Sequence, residues 1–455
     1  MRVASAAAGT SVPHYPLTVV GLGPAGLAPL LAAAKSGQLE EILSRGIILI
    51  DRADEAGPGR IGNYAITSDS SAATFLSCLV DCPVPSLAAL VDHPVARTIA
   101  DLGVGCVPLA LAGELMRLVG RAIVDLVEAA PACRVMLGTE LLTLRQMPSR
   151  NWVATVRHAG RVETFTTRSV LAATGADQRR ARLASEAIGG VPLLPRFDHK
   201  VIQSEQMLAH GGVVHVAHRL AGISSPRIAI IGGSTSAMAS ANLLLRSGIP
   251  FNDGGVRLLH RTPITVFYPS VQAALEDGYT DFDAQRDVCP VSGFLFRFGG
   301  FRFDSRELVR RALKIGGGQG ETRLAFQQIA TDQAVDTAVQ STLEEADLII
   351  SCLGYTPRGL PVLGQDGAPI ALGGVSGGTA MVDPECSIID SQGRSIPGLF
   401  GVGLAAGYRP PAHMGGEASF TGQVNGLWLW QNDVGRLIAA RMLAHAADTA
   451  DMIAA

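Results

Sequence analysis

Cysteine is scarce. Seven residues (Cys78, Cys82, Cys106, Cys133, Cys289, Cys352 and Cys386) are scattered over 455 positions, an odd number at irregular spacing, which excludes a disulfide scaffold and suits a reducing compartment. No Cys-x-x-Cys occurs, so the adjacent thiols of a dithiol reductase are missing; Cys78 and Cys82, four apart, read as core residues on one helical face. His215 and His218 lack cysteine or carboxylate partners at ligand spacing, so they read as strand or surface residues and no metal is expected. A Gly-x-Ser-x-Gly elbow, a His-Glu-x-x-His pair and a P-loop are also absent. Lys and Arg form no run, and 37 of them against 40 acidic residues give a formal net charge of -3, which leaves no electrostatic footprint for nucleic acid. The first sixteen residues lack the apolar stretch of an export signal. The one long apolar run, 17–34, is broken by Gly21, Gly23, Pro24 and Gly26 and has no aromatic belt, so it reads as strand, turn and buried helix rather than a membrane span. A cytoplasmic protein without a membrane partner is expected.

Two segments share one pattern: a short β-branched run, a glycine cluster, an Ala- and Leu-rich helix and a second strand. The first runs from LTVV (17–20) through GLGPAG (21–26) to IILI (47–50) and Asp51. The second runs from RIAII (227–231) through GGSTSA (232–237) to VRLL (256–259), His260 and Arg261. Between them, 156–177 alternates like sheet strands and ends on Ala173, Thr174 and Gly175; the second unit closes on DLIISCLGY (347–355) with Gly354 and Tyr355. Both endings read as strands delivering the chain to a bound cofactor. The expected fold is therefore α/β, with two Rossmann-like dinucleotide-binding domains, the second inserted into the first. The expected boundaries are 1–205 and 347–455 for the first domain and 206–346 for the inserted one. Residues 266–330 fit neither dinucleotide-binding pattern well and are expected, as an insertion within 206–346, to shape a pocket or an interface.

The glycines state what the loops bind. Gly21 permits a tight turn out of the strand, Gly23 lets backbone N–H groups approach a pyrophosphate, and Gly26 lets the helix pack on the sheet, with Pro24 and Ala25 opening that helix. Asp51, 25 residues after Gly26, is placed to accept both ribose hydroxyls of an adenosine, so the first loop takes FAD or NAD. In the second loop Gly232, Gly233, Ser234 and Ser236 form the turn, Ala237 replaces the third glycine, and His260–Arg261 stand where an NAD site carries an acid. A guanidinium there clamps a 2′-phosphate that a carboxylate would repel, so the exchangeable cofactor is NADPH. The first loop is left for FAD, which stays bound.

With these features in place the chain resembles the class B, single-component flavin monooxygenases, and among them the N-hydroxylating branch. Asp347, Gly354 and Tyr355 match that family's C-terminal signature in spacing, while Ser351, Cys352 and Leu353 depart from it; residues 201–207 are similar to its interdomain linker. Gly403–Leu404 stands where disulfide-reductase relatives carry Gly-Asp, and no Baeyer–Villiger fingerprint occurs. The resemblance implies transfer of one oxygen from O2, by way of a C4a-hydroperoxyflavin, to a small amine or amino acid. Arg60, Asn63 and Tyr64 would then lie near the flavin, with Asn63 either a donor to the reacting oxygen or a turn cap. Arg409 and His413 would meet a substrate carboxylate, unless Arg409 forms a loop salt bridge. Ser68 and Asp69, or else Ser71, would cap the helix starting near Ala72. Segments 59–79, 266–330 and 413–420 carry no template and are where substrate identity should reside. The residues alone leave open a flavin reductase or dehydrogenase without oxygen transfer, a non-catalytic flavin-binding protein, and homo-oligomerisation.

Overall fold

The computed structural model describes residues 12–330, 335–375 and 380–447. The centre of its first sheet is built from short, mostly apolar runs that are buried on every residue. Leu17–Val20, Ile47–Ile50 and Ser169–Ala172 are buried throughout, the mark of strands covered on both faces in a parallel sheet. The sheet has six strands in the order Ser387–Ile389, Ser395–Gly401, Ser169–Ala172, Leu17–Val20, Ile47–Ile50 and Arg134–Met136. All run parallel except the first, which pairs antiparallel with its neighbour. The second sheet is wholly parallel, in the order Val201–Gln203, Leu348–Ser351, Ile228–Ile231, Val256–His260 and Leu324–Gln328, with apolar clusters on both faces. An antiparallel meander of Thr139–Gln146, Trp152–His158 and Arg161–Thr167, with Val362–Leu363 at its edge, completes the first unit.

The domain boundaries need correction. Val201–Gln203 and Leu348–Ser351 pair with each other inside the second sheet, Val201 opposite Ile349 and Gln203 opposite Ser351. Both strands therefore belong to the inserted unit, although they lie outside 206–346. The chain crosses between units on the short antiparallel ribbon of Ala176–Asp177 with Thr356–Pro357. Residues 266–330 also belong to the inserted unit: Leu324–Gln328 is its edge strand, and Phe303–Ala312 packs on the Thr235–Arg246 helix. Buried Tyr268 and Tyr279 stack 5.4 Å apart there, and the Tyr268 hydroxyl donates to Asp277 at 2.6 Å. His215 and His218 lie exposed on the Gly212–Arg219 helix, not on a strand.

No helix among the described residues is long and apolar enough to cross a membrane. The first unit is closed from behind by the Asp433–Ala447 helix lying on Pro24–Lys35. The contact is close because Gly435 has no side chain: a Cβ there would stand 2.8 Å from the Ala32 Cβ and 3.0 Å from the Ala28 carbonyl oxygen. Gly435→Ala should thus destabilise the protein by about 1–3 kcal/mol through overpacking, read as a lowered thermal midpoint.

Candidate active site between the two dinucleotide folds

The first crevice is made by backbone. Gly21 takes φ +95°, and a Cβ on it would lie 2.3 Å from the Ala173 carbonyl oxygen; one on Gly26 would lie 1.8 Å from the Gly21 oxygen. Only glycine fits either position. The helix Pro24–Lys35 starts at Gly23 with no side-chain cap, so the dipole end and its first donors are left for a ligand anion. Asp51 is fixed by two backbone donors, Leu22 N–H and Ala53 N–H, and its remaining lone pairs face outward for ribose hydroxyls. On the far side, Gly403 (φ +117°) brings the chain after Ser395–Gly401 to within 3.1 Å of the Ala25 Cβ, measured from an added Cβ. Leu404 next to it is 41% exposed, an apolar side chain presented at the crevice mouth. These residues fit an FAD pyrophosphate and adenosine.

The second crevice repeats the design. Gly232 takes φ +128°, and a Cβ there would meet the Cys352 carbonyl oxygen at 2.6 Å; at Gly233 it would meet the His260 Cβ at 3.1 Å. Ser234 is the N-cap of Thr235–Arg246 but makes no side-chain cap bond. Ser236 and Ala237 form the first turn, the Ala237 N–H bonding the Ser234 carbonyl at 2.9 Å. His260 is buried at 7% exposure, with its Nδ1 2.9 Å from the Thr262 carbonyl oxygen, so it shapes the strand end rather than reaching outward. Arg261 is exposed, and among the described residues its guanidinium makes a single long contact, 3.4 Å to the Ala187 carbonyl, which leaves donors for a phosphate. The crevice fits an NADP-type dinucleotide.

Where the strands end, Gly175 (φ +73°) and Gly354 (φ +83°) both face open space. Gln178 donates from its amide to the Gly354 carbonyl at 3.4 Å and to Ser204 Oγ at 2.8 Å. Burial, with the Tyr64 hydroxyl beside it, pushes the Tyr355 phenol above its usual range. Arg60 is ion-paired with Glu205 across the junction of the units. Asn63 ends the short Ile61–Asn63 turn with its side chain exposed; its N–H bonds the Arg60 carbonyl and its own carbonyl takes the His210 N–H at 3.1 Å. The turn is thus held by main chain, and no side-chain bond of Asn63 caps it among the described residues.

Three placements differ from expectation. Ser71, not Ser68 or Asp69, caps the Ala72–Leu76 helix, accepting the Thr74 N–H. Asp69 instead accepts the Thr235 hydroxyl of the other unit at 2.7 Å, and burial raises its carboxyl while that hydrogen bond and the Arg302 charge work against the rise. Arg409 and His413 are exposed and make no ion pair among the described residues. Glu417, four residues after His413, is 4% exposed and accepts the N–H groups of Phe298 (2.9 Å) and Gly299 (2.7 Å). It thereby joins the two segments that had no template.

Sequence reasoning missed the cluster around that contact. Arg302 lies over the Phe267 ring at 3.5 Å and donates to the Arg297 carbonyl; burial pulls its pKa down to about 10, while Asp69 and Glu417 support its charge. Buried Cys289 receives the Ser292 and Gly416 N–H groups and Arg297. Burial works to raise that thiol, but the donors around it outweigh burial and bring it to about 6. Glycines flanking an acid in HMGGEASF were the one visible signal.

No protein-family model matches the sequence. The CMP-5′-(3-aminopropyl)phosphonate hydroxylase of Streptomyces rubellomurinus is 32% identical over 450 residues, covering 95% of this chain and 98% of that one. The chain belongs to the N-hydroxylating class B flavin monooxygenases. Solved structures share the fold. The reduced form of ornithine hydroxylase (PvdA) from Pseudomonas aeruginosa matches with a TM-score of 0.53 at 17% identity, over 95% of this chain and 99% of that one. L-lysine 6-monooxygenase from Pseudomonas syringae matches at 0.51 and 15%, over 96% and 99%. The monooxygenase is an oxidoreductase whose cofactors are FAD and NADPH.

Two substitutions test the crevices. Gly26→Ala should yield protein with little bound flavin, read from its visible absorbance, because the added methyl meets the Gly21 carbonyl head-on. Arg261→Ala should raise the KM for NADPH about tenfold or more, since a charge-assisted hydrogen bond contributes about 1.5–3 kcal/mol, and leave the KM for NADH nearly unchanged.

Proposed function

We propose that the monooxygenase hydroxylates the primary amine of an aminoalkyl phosphonate carried as its CMP conjugate. The observation that carries this reading is the relationship to the Streptomyces hydroxylase, which extends along 98% of that protein and includes the templateless segments.

When bound, FAD supplies the oxygen-activating chemistry and NADPH the electrons. The chain does the rest. The uncapped N-terminus at Gly23 and Asp51 orient one dinucleotide; the 232–237 turn and Arg261 hold the other. The amine attacks only as a free base, so a reaction site that desolvates the ammonium favours the neutral form. Asn63, with an unengaged amide on a turn fixed by backbone, is our candidate donor to the reacting oxygen, and exclusion of water there sets product against free peroxide.

The test is turnover of CMP-5′-(3-aminopropyl)phosphonate under ¹⁸O2 with NADPH. A hydroxylamine product carrying one labelled oxygen, formed one for one with NADPH oxidised, supports the reading; efficient oxidation of ornithine or lysine with none of the conjugate overturns it. Asn63→Ala should keep its flavin and its NADPH oxidation but divert several-fold more of the oxygen to hydrogen peroxide.

A further inference from the structure

A cleft of about 340 Å³ opens between the units, inside the range of about 300–1,000 Å³ usual for small-molecule sites. One wall is a single stripe of the Thr235–Arg246 helix: Thr235, Ala239, Asn242, Leu243 and Arg246. These residues recur at helical spacing on one face. The opposite wall comes from 64–67, Pro108 and Ala110 of the first unit. The helix advances about 1.5 Å per residue, so Arg246 lies about 16 Å along its axis from the dinucleotide turn. The cleft therefore leads away from the place that NADPH occupies.

Asn242 marks what enters. It is 8% exposed and lines the cleft, and its side-chain oxygen, shut off from solvent, has no hydrogen-bond partner among the described residues. Buried polar groups are nearly always paired, so an unpaired carboxamide on a cavity wall calls for a partner that a ligand can supply. A carboxamide offers an acceptor beside a donor, the complement of the amino group and ring nitrogen on a cytosine edge. One turn further, Arg246 is exposed and pairs with Asp304, itself on the cleft wall, across 3.6 Å; so long and exposed an ion pair contributes little, and a phosphate can compete for the guanidinium. Ile66, Pro108 and Leu243 supply apolar surface for the faces of a base.

We infer that this cleft is the subsite for the cytidylyl end of the substrate, Asn242 reading the pyrimidine edge and Arg246 meeting the phosphate. The inference rests on the proposed CMP-linked substrate. Its test uses CMP as the probe, by calorimetric titration and as an inhibitor, on the flavin-loaded enzyme. In the wild type CMP should compete with the conjugate and not with NADPH. Asn242→Leu and Arg246→Ala should each weaken CMP at least tenfold and raise the KM for the conjugate in step, while the KM for NADPH holds. Asn242→Leu removes an unpaired buried amide, so its thermal midpoint should not fall, which separates lost binding from lost folding. Unchanged CMP affinity in both variants overturns the subsite and spares the substrate reading. A parallel rise in the KM for NADPH with CMP binding intact assigns the cleft to the dinucleotide and also overturns it. A wild type that ignores CMP and handles free 3-aminopropylphosphonate as well as the conjugate overturns both.

Discussion

Everything in this fold depends on a backbone contact made twice. Gly21 presses on the carbonyl of Ala173, and Gly232 presses on that of Cys352, at distances that leave no room for a side chain. Each contact ties the turn of a glycine loop to the end of the neighbouring central strand. Two residues later each strand reaches a glycine in the left-handed region, Gly175 and Gly354, and from there the chain enters the two-stranded ribbon that joins the units. The crevices and the hinge are therefore one local structure.

Much of this was legible because it is local. A four-residue apolar run, a glycine turn and an Ala-rich helix occupy contiguous sequence, and the acid or base at the next strand end follows at fixed distance, so Asp51 and Arg261 could be placed without any long-range information. The boundary error at 347 has a physical cause. LIIS at 348–351 is apolar on three residues and buried on all four, and such a strand carries no mark of which of two parallel sheets will bury it. The contacts of Glu417 were illegible for the complementary reason. Its nearest charged neighbour along the chain is not its partner; the carboxylate instead satisfies backbone N–H groups more than a hundred residues earlier, and main-chain donors leave no trace in side-chain patterns.

The interface between the units carries several polar contacts, some buried and some exposed. Asp69 of the first unit meets the Thr235 hydroxyl of the second, Arg302 supports Asp69 and Glu417, and Arg60 pairs with Glu205. With a pKa of about 10, Arg302 keeps its charge at neutral pH despite the burial that opposes it. Buried charge of this kind contributes little net stability compared with apolar packing, but each group is costly to leave alone. The units are consequently held in register by mutual need more than by strong attraction.

That balance bears on catalysis. A ligand touching both walls of the cleft, 64–67 on one side and the Thr235–Arg246 helix on the other, binds only where the two units stand at the right separation. Its affinity for that arrangement exceeds its affinity for any other, so it shifts the population toward it. In the proposed reading, binding energy from parts of the substrate remote from the reacting nitrogen would favour the arrangement that excludes water. A substrate tethered to a nucleotide would supply such remote contacts where a short free amine does not.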